Sequence, residues 1–181
     1  MACTGRPSLR LPGVEADSGD PILRELFGRI RAHRGFLLNI HRVTGHAPTH
    51  LRATAAFTTA MRNDAAVPRD LQEILIMRVA QVNDSNYEQS VHRQIAIDCG
   101  SSAEKVDSIA DWRASSRFDA RERAALAYVE EAGRSGDVDD ETFANLRRHF
   151  GDREIVEITA ITAWYVGNSR FVRALKIVPE T

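Results

Sequence analysis

Cysteine is scarce: the 181-residue chain has two, Cys3 near the N-terminus and Cys99 far along it. Such a pair excludes a disulfide-dense secreted scaffold and supplies no Cys-x-x-Cys ligand pair for zinc. Long hydrophobic runs are also missing, since no window approaches the roughly 20 apolar residues needed to cross a bilayer. The first residues, MACTGRPSLRLPG, lack the apolar stretch of a signal peptide. Neither sign of charge dominates. Lys and Arg total 24 against 25 Asp and Glu, a net charge of −1 and a pI near 6.6. That balance argues against nucleic acid or a membrane surface as partner. A cytoplasmic location is expected. Lysine is confined to Lys105 and Lys176, a bias that carries no functional reading.

What remains is ordinary for one globular domain: 43% apolar and 27% charged residues. A chain of about 150 residues or more buries some 68–70% of its unfolded surface, enough for a core without disulfides or metal. Residues 1–19 read as an N-terminal tail rich in Gly, Pro and Ser, 20–178 as one domain, and 179–181 as its C-terminal end.

Apolar spacing of 3–4 residues recurs through that domain, and no segment alternates with period 2, so the expectation is an all-α domain of about eight helices. Asp20-Pro21 starts a helix through Ile30, and a second carries Leu37, Ile40 and Val43. Pro48-Thr49 opens a third, through Met61, and a fourth runs from Pro68 to Val82. Another runs from Ser85 to Cys99, stopped by Gly100, and Ser101-Ser102 caps a short one. Asp119 and Glu122 cap the run Ala124–Ala132, ended by Gly133 and Gly136. A helix from Asp139 or Asp140 reaches Gly151, and a final one covers Ile155–Val166. Arg69-x-x-x-Glu73-Ile74 recurs as Arg153-x-x-x-Glu157-Ile158, which suggests two related halves but equally fits ordinary surface pairing four residues apart.

The chemistry-bearing residues cluster at the junction of the fourth and fifth helices. Ser85, Glu88 and His92 fall at i, i+3 and i+7, on one stripe, with Glu88 within reach of His92. A turn through Asn83-Asp84 would bring Glu73 against that stripe. A carboxylate that fixes the tautomer of a histidine poises it for proton transfer near neutrality, so Glu88 is the natural orienter. A second carboxylate in the same dry site is a further proton carrier, a role suited to Glu73. Ser85 sits about 10 Å from His92 along the helix axis, which argues against a serine nucleophile. Ser85-x-x-Glu88 is also a capping box, an equally good reading of the serine.

A metal fits less well. Di-iron bundles take Glu-x-x-His from two helices, whereas Glu88 and His92 are four apart and no second pair exists. His33, His41, His46, His50 and His149 show no ligand spacing. No metal and no cofactor are therefore expected. Cys99, at a helix C-terminus, is in the wrong place for a thiolate and reads as a small buried residue. Trp112, Trp164 and Tyr165 read as core residues, with Trp164 also able to wall a pocket.

From about Phe36 to Val172 the chain resembles the carboxymuconolactone decarboxylase family, which includes an alkylhydroperoxidase D branch. The likeness rests on Glu73, Ser85, Glu88 and His92, on Tyr87-Glu88…His92, on Phe143…Phe150-Gly151-Asp152-Arg153-Glu154-Ile155-Val156-Glu157, and on Asn168-Ser169-Arg170-Phe171. Ser85 and Glu88 occupy the positions of the Cys-x-x-Cys pair of the peroxidase branch, so the resemblance is to the decarboxylase-type branch. Gln89 replaces a tryptophan common there. The resemblance implies an alkylhydroperoxidase D-like helical fold, assembled as a trimer or hexamer with the pocket near subunit contacts. It implies acid–base decarboxylation of a small carboxylated lactone or related organic acid. Glu73, Glu88 and His92 would be catalytic, and Ser85, Tyr87 and Arg170 would contact substrate, with Arg78 as the other candidate for its carboxylate. The alternatives are peroxidase-type antioxidant activity, disfavoured by the missing cysteines, and a non-catalytic oligomeric scaffold.

Overall fold

Every regular element among the residues described, 9–180 of a computed structural model, is helical. Cys3, the start of the 1–19 tail and the side chain of His33 lie outside the described residues. In order, the α-helices are α1 (Pro21–Arg34), α2 (Asn39–Thr44), α3 (Pro48–Asn63), α4 (Arg69–Val82) and α5 (Asn86–Asp98). There follow α6 (Ala103–Asp107), α7 (Ala120–Ser135), α8 (Asp140–Arg147) and α9 (Asp152–Ala174), with a 3₁₀ turn at Ile109–Asp111. No helix among the described residues is long and apolar enough to cross a membrane.

The chain divides into two compact units, Met1–Ala60 with Val172–Thr181, and Met61–Phe171. In the first, the Asp20 carboxylate accepts from Ile22 N and Leu23 N, and Pro21 occupies the first helical position. Gly35, at φ 86°, takes the left-handed conformation that ends α1. Leu23, Leu26, Phe27, Leu37 and Leu51 form this unit's apolar centre. Its C-terminal segment is tied in by Asn39 Nδ2, which donates to Val178 O at 2.9 Å.

The second unit is organised around α4, where Leu71 to Ala80 are all buried. A helix apolar on nearly every side belongs inside a core. It packs against α5 and α7, in a cluster that includes Ile74, Leu75, Leu126, Val129, Ile158 and Ile161. Its start is set from outside, because Glu157 Oε2 accepts from Ala66 N and Val67 N while Gln72 Nε2 donates to Val67 O. α7 begins at a complete capping box between Asp119 and Glu122.

Two helix ends differ from expectation. Gly133 lies inside α7, which ends at Gly136 in the left-handed conformation. α9 continues past Val166 to Ala174, because Ser169 and Val172 prolong the buried stripe of Ile158, Ile161 and Tyr165. Both members of the Arg–Glu recurrence form ion pairs, Arg69 with Glu73 and Arg153 with Glu157.

Candidate active site

The turn from α4 to α5 makes the site. Asn83 Nδ2 donates to Val79 O, Asp84 takes a left-handed φ of 51°, and Ser85 N donates to Ala80 O, so the chain reverses over three residues. Aspartate tolerates that backbone conformation better than most residues. The reversal sets α5 alongside α4 and brings Glu73 to His92, 19 positions later.

His92 Nδ1 lies 2.6 Å from Glu73 Oε2, and Nε2 lies 3.4 Å from Glu88 Oε2. Glu88 Oε1 accepts from Asn168 Nδ2 at 2.8 Å, and the other oxygen of Glu73 pairs with Arg69. The Tyr165 ring meets the imidazole edge-on, with centroids 5.0 Å apart. Glu73, Glu88 and His92 are 0%, 2% and 3% exposed, so three ionisable groups share one enclosure.

Burial alone would pull the imidazole down, but the carboxylates of Glu73 and Glu88 outweigh it and raise the His92 pKa above its ordinary 6.5. For Glu73, burial pushes upward, and the imidazole with Arg69 and Arg62 prevails, holding the carboxyl below its ordinary value. The arrangement favours the protonated form of an imidazole set between Glu73 and Glu88. Burial holds the Tyr165 hydroxyl well above its usual range, so it stays protonated.

Glu73 makes the close contact to the ring, whereas Glu88, the expected orienter, is drawn toward Asn168 and makes the longer one. Helical spacing places Glu88 beside His92, but the hairpin aims Glu73 along the Nδ1 direction. The capping box at Ser85 does not form: Ser85 makes no side-chain cap bond. Tyr87 is buried on α5, while Arg170 is exposed on α9. Arg78 is unavailable to a substrate, being bound by Glu130 at 2.6 Å. Tyr165 and Asn168 are missed by sequence reasoning as contacts of this cluster. The available signal is that Asn168 and Ser169 follow Tyr165 by three and four residues, on its side of α9.

The two glutamates meet opposite nitrogens of the ring, so the three side chains do not converge on one point. Among the described residues no group of three or more His, Cys, Asp or Glu is placed to hold a metal ion. Cys99, at the C-terminal end of α5, has its thiol pushed up by burial, away from thiolate character.

Glu73, Glu88 and His92 lie in a segment, residues 48–131, that matches the model of the carboxymuconolactone decarboxylase family. Over these residues the chain is similar to the carboxymuconolactone decarboxylase family. A relative in Escherichia coli K12, the uncharacterized protein YnjA, is 27% identical over 158 residues, covering 86% of this chain and 87% of that one. The fold is that of an alkylhydroperoxidase AhpD core described as an uncharacterized peroxidase-related protein from Ralstonia eutropha JMP134. The TM-score is 0.85 at 23% identity, covering 97% of this chain and 94% of that one. The debrominase Bmp8, solved in complex with 2,3,4-tribromopyrrole, shares it at a TM-score of 0.83 and 24% identity, covering 93% and 91%. The chain thus has an alkylhydroperoxidase D-like fold, all-helical among the described residues.

Proposed function

We propose that the protein is a carboxymuconolactone decarboxylase-like enzyme that uses Glu73, His92 and Glu88 for acid–base chemistry on a small carboxylated lactone or related organic acid. The observation that carries this is the buried imidazole held between two carboxylates. In decarboxylation the bond from carbon to the carboxylate breaks, carbon dioxide leaves, and the electron pair enters an enolate. That carbon then takes one proton. The imidazolium supplies it from Nε2, directly or through Glu88, and Glu73 holds the ring in place through Nδ1.

Ser85 and Tyr87, on the first turn of α5, contact the substrate. Of the two arginines considered for its carboxylate, Arg78 is committed to Glu130, which leaves Arg170. Assembly as a trimer or hexamer, and a cytoplasmic location, belong to the same reading. Peroxidase-type activity gains no support from Cys99, whose thiol is held protonated.

The test is a melting-temperature series against carboxylated lactones, simple carboxylates and organic hydroperoxides, with carbon dioxide release followed for any binder. A ligand at 100 times its dissociation constant adds about 2.7 kcal/mol, or roughly 5–10 °C at this chain size. Shifts confined to carboxylated lactones or related acids, with carbon dioxide released, are the expected result. Turnover of hydroperoxide alone, lost in Cys99→Ser, overturns the proposal. A silent series favours the scaffold alternative.

A further inference from the structure

Two hydroxyls in the second unit are sealed from solvent without a partner. Ser85 Oγ and Ser169 Oγ are buried and make no hydrogen bond, and both residues are 0% exposed. Buried side-chain hydroxyls are normally satisfied, and in a helix the carbonyl one turn back is always within reach. Their neighbours take that option. On α9, Thr159 Oγ1 donates to Ile155 O and Thr162 Oγ1 to Ile158 O, and on α5 Ser90 Oγ donates to Tyr87 O. Ser169, inside α9, does not, so its hydroxyl is directed elsewhere, and Ser85, just before α5, makes no cap bond either.

Two contacts fix where. Tyr165 meets His92, and Asn168 donates to Glu88. Moving forward along α9 therefore corresponds to moving backward along α5: the two helices are antiparallel at this crossing. Ser169, one turn beyond Tyr165, falls at the level of the first turn of α5, where Ser85 and Glu88 stand three residues apart. Both serines thus belong to the Glu88 end of the cluster. Asn168 is half-buried there.

We propose that Ser85 and Ser169 form an oxygen-binding subsite that takes the carbonyl oxygen of a small oxo acid or lactone. A carbonyl oxygen has two lone pairs and no hydrogen, so it accepts from both hydroxyls at once. An apolar group in the same place leaves both unpaired and is rejected. As carbon dioxide leaves, that oxygen becomes the enolate oxygen and draws the two donors closer, so they stabilise the charge as it develops. The chemical consequence rests on the acid–base reading given above. The binding preference does not.

The experiment compares 4-oxopentanoate with pentanoate, which share a carboxylate and differ at one carbonyl. Calorimetric titration of the wild type is expected to give at least about tenfold tighter binding of the oxo acid, equivalent to two well-made hydrogen bonds. In Ser169→Ala and in Ser85→Ala that preference falls below about threefold, with pentanoate affinity unchanged. Melting curves establish that each variant is folded, and Ser169→Gly removes the same hydroxyl by a second route. Equal binding of the two acids by the wild type, no binding of the oxo acid, or a preference that survives the substitutions overturns the subsite. A drop in melting temperature with the preference intact, as for hydroxyls that serve only a structural water, overturns it as well. Deuterium exchange at the carbons flanking the ketone, followed by NMR in the same samples, separates the two readings. Preference without exchange leaves the subsite standing and removes the acid–base reading, while exchange without preference does the reverse.

Discussion

His92→Ala is expected to lower turnover of the lactone or acid selected above by about 10²–10⁴-fold, the usual contribution of a positioned proton donor. The ring joins the cluster's two carboxylates, and its pKa is the one raised from near neutrality. The substitution is also expected to cost stability at neutral pH, because Glu73 and Glu88 then stay buried without the cation between them. Arg69 still pairs with Glu73 and Asn168 still donates to Glu88. A loss of about 3–5 kcal/mol, typical of a broken buried pair, is the relevant scale. It should shrink as pH falls, since protonation neutralises the stranded Glu73 carboxylate. Urea melts at pH 5 and pH 7.5, beside progress curves under folded conditions, separate the two effects. His92→Gln, which retains a hydrogen-bonding side chain, should recover part of the stability and none of the turnover. Turnover unchanged in a folded His92 variant would rule out the acid–base mechanism.

Glu130→Ala is expected to cost about 3–5 kcal/mol of stability while leaving the chemistry of the cluster alone. Glu130 Oε2 accepts from Arg78 Nε at 3.1 Å, Arg78 Nη2 at 2.6 Å, Trp112 Nε1 at 3.0 Å and Arg113 Nη1 at 2.8 Å. Its other oxygen meets Arg134 at 2.8 Å. Burial would raise this carboxyl, but Trp112, Arg113 and Arg78 together bring it down to about 2. Removing it strands the Arg78 guanidinium, whose side chain is 11% exposed, inside the α4–α7 contact. Arg113, at 61% exposed, is a different case, and its replacement by alanine should change stability by no more than about 1 kcal/mol. Chemical denaturation checks both, with an unchanged slope on denaturant confirming that stability and not compactness has moved. Turnover per folded molecule should be close to wild type in Glu130→Ala. A deficit there would place Glu130 in the catalytic machinery.

The contrast between these two networks explains what was legible in the sequence. His92 and Glu73 stand on consecutive helices joined by a short polar turn, so spacing alone brings them together. Arg78 and Glu130 are 52 residues apart, with α5 and α6 between them, and periodicity carries no information about that pairing. The same limit applies at Ser85. Its spacing to Glu88 satisfies a capping box, and only the arrival of Asn168 from α9, 80 residues beyond Glu88, draws the carboxylate away. The end of α9 was hidden for a related reason. The sequence reading ends this helix at Val166, but Ser169 and Val172 beyond it are buried, and that burial outweighs local propensity. Helix identity was local, whereas the partners of the buried polar groups were not.

The imidazolium between its two carboxylates makes folding itself a protonation reaction. An unfolded chain at pH 7 carries His92 largely neutral, since its ordinary value is 6.5, whereas the folded protein holds it above that value. Folding near neutrality therefore takes up a proton from the buffer. A raised histidine contributes stability that is complete below about 6.5 and fades as pH climbs through the folded value. Glu73, held below its ordinary 4.5, contributes stability that is present above that value and fades as pH falls through the folded one. The cluster is strongest in the band between, and acid below that band or alkali above it loosens the α4–α5 hairpin. The heat of folding measured near pH 7 consequently includes the ionisation heat of whichever buffer gives up the proton.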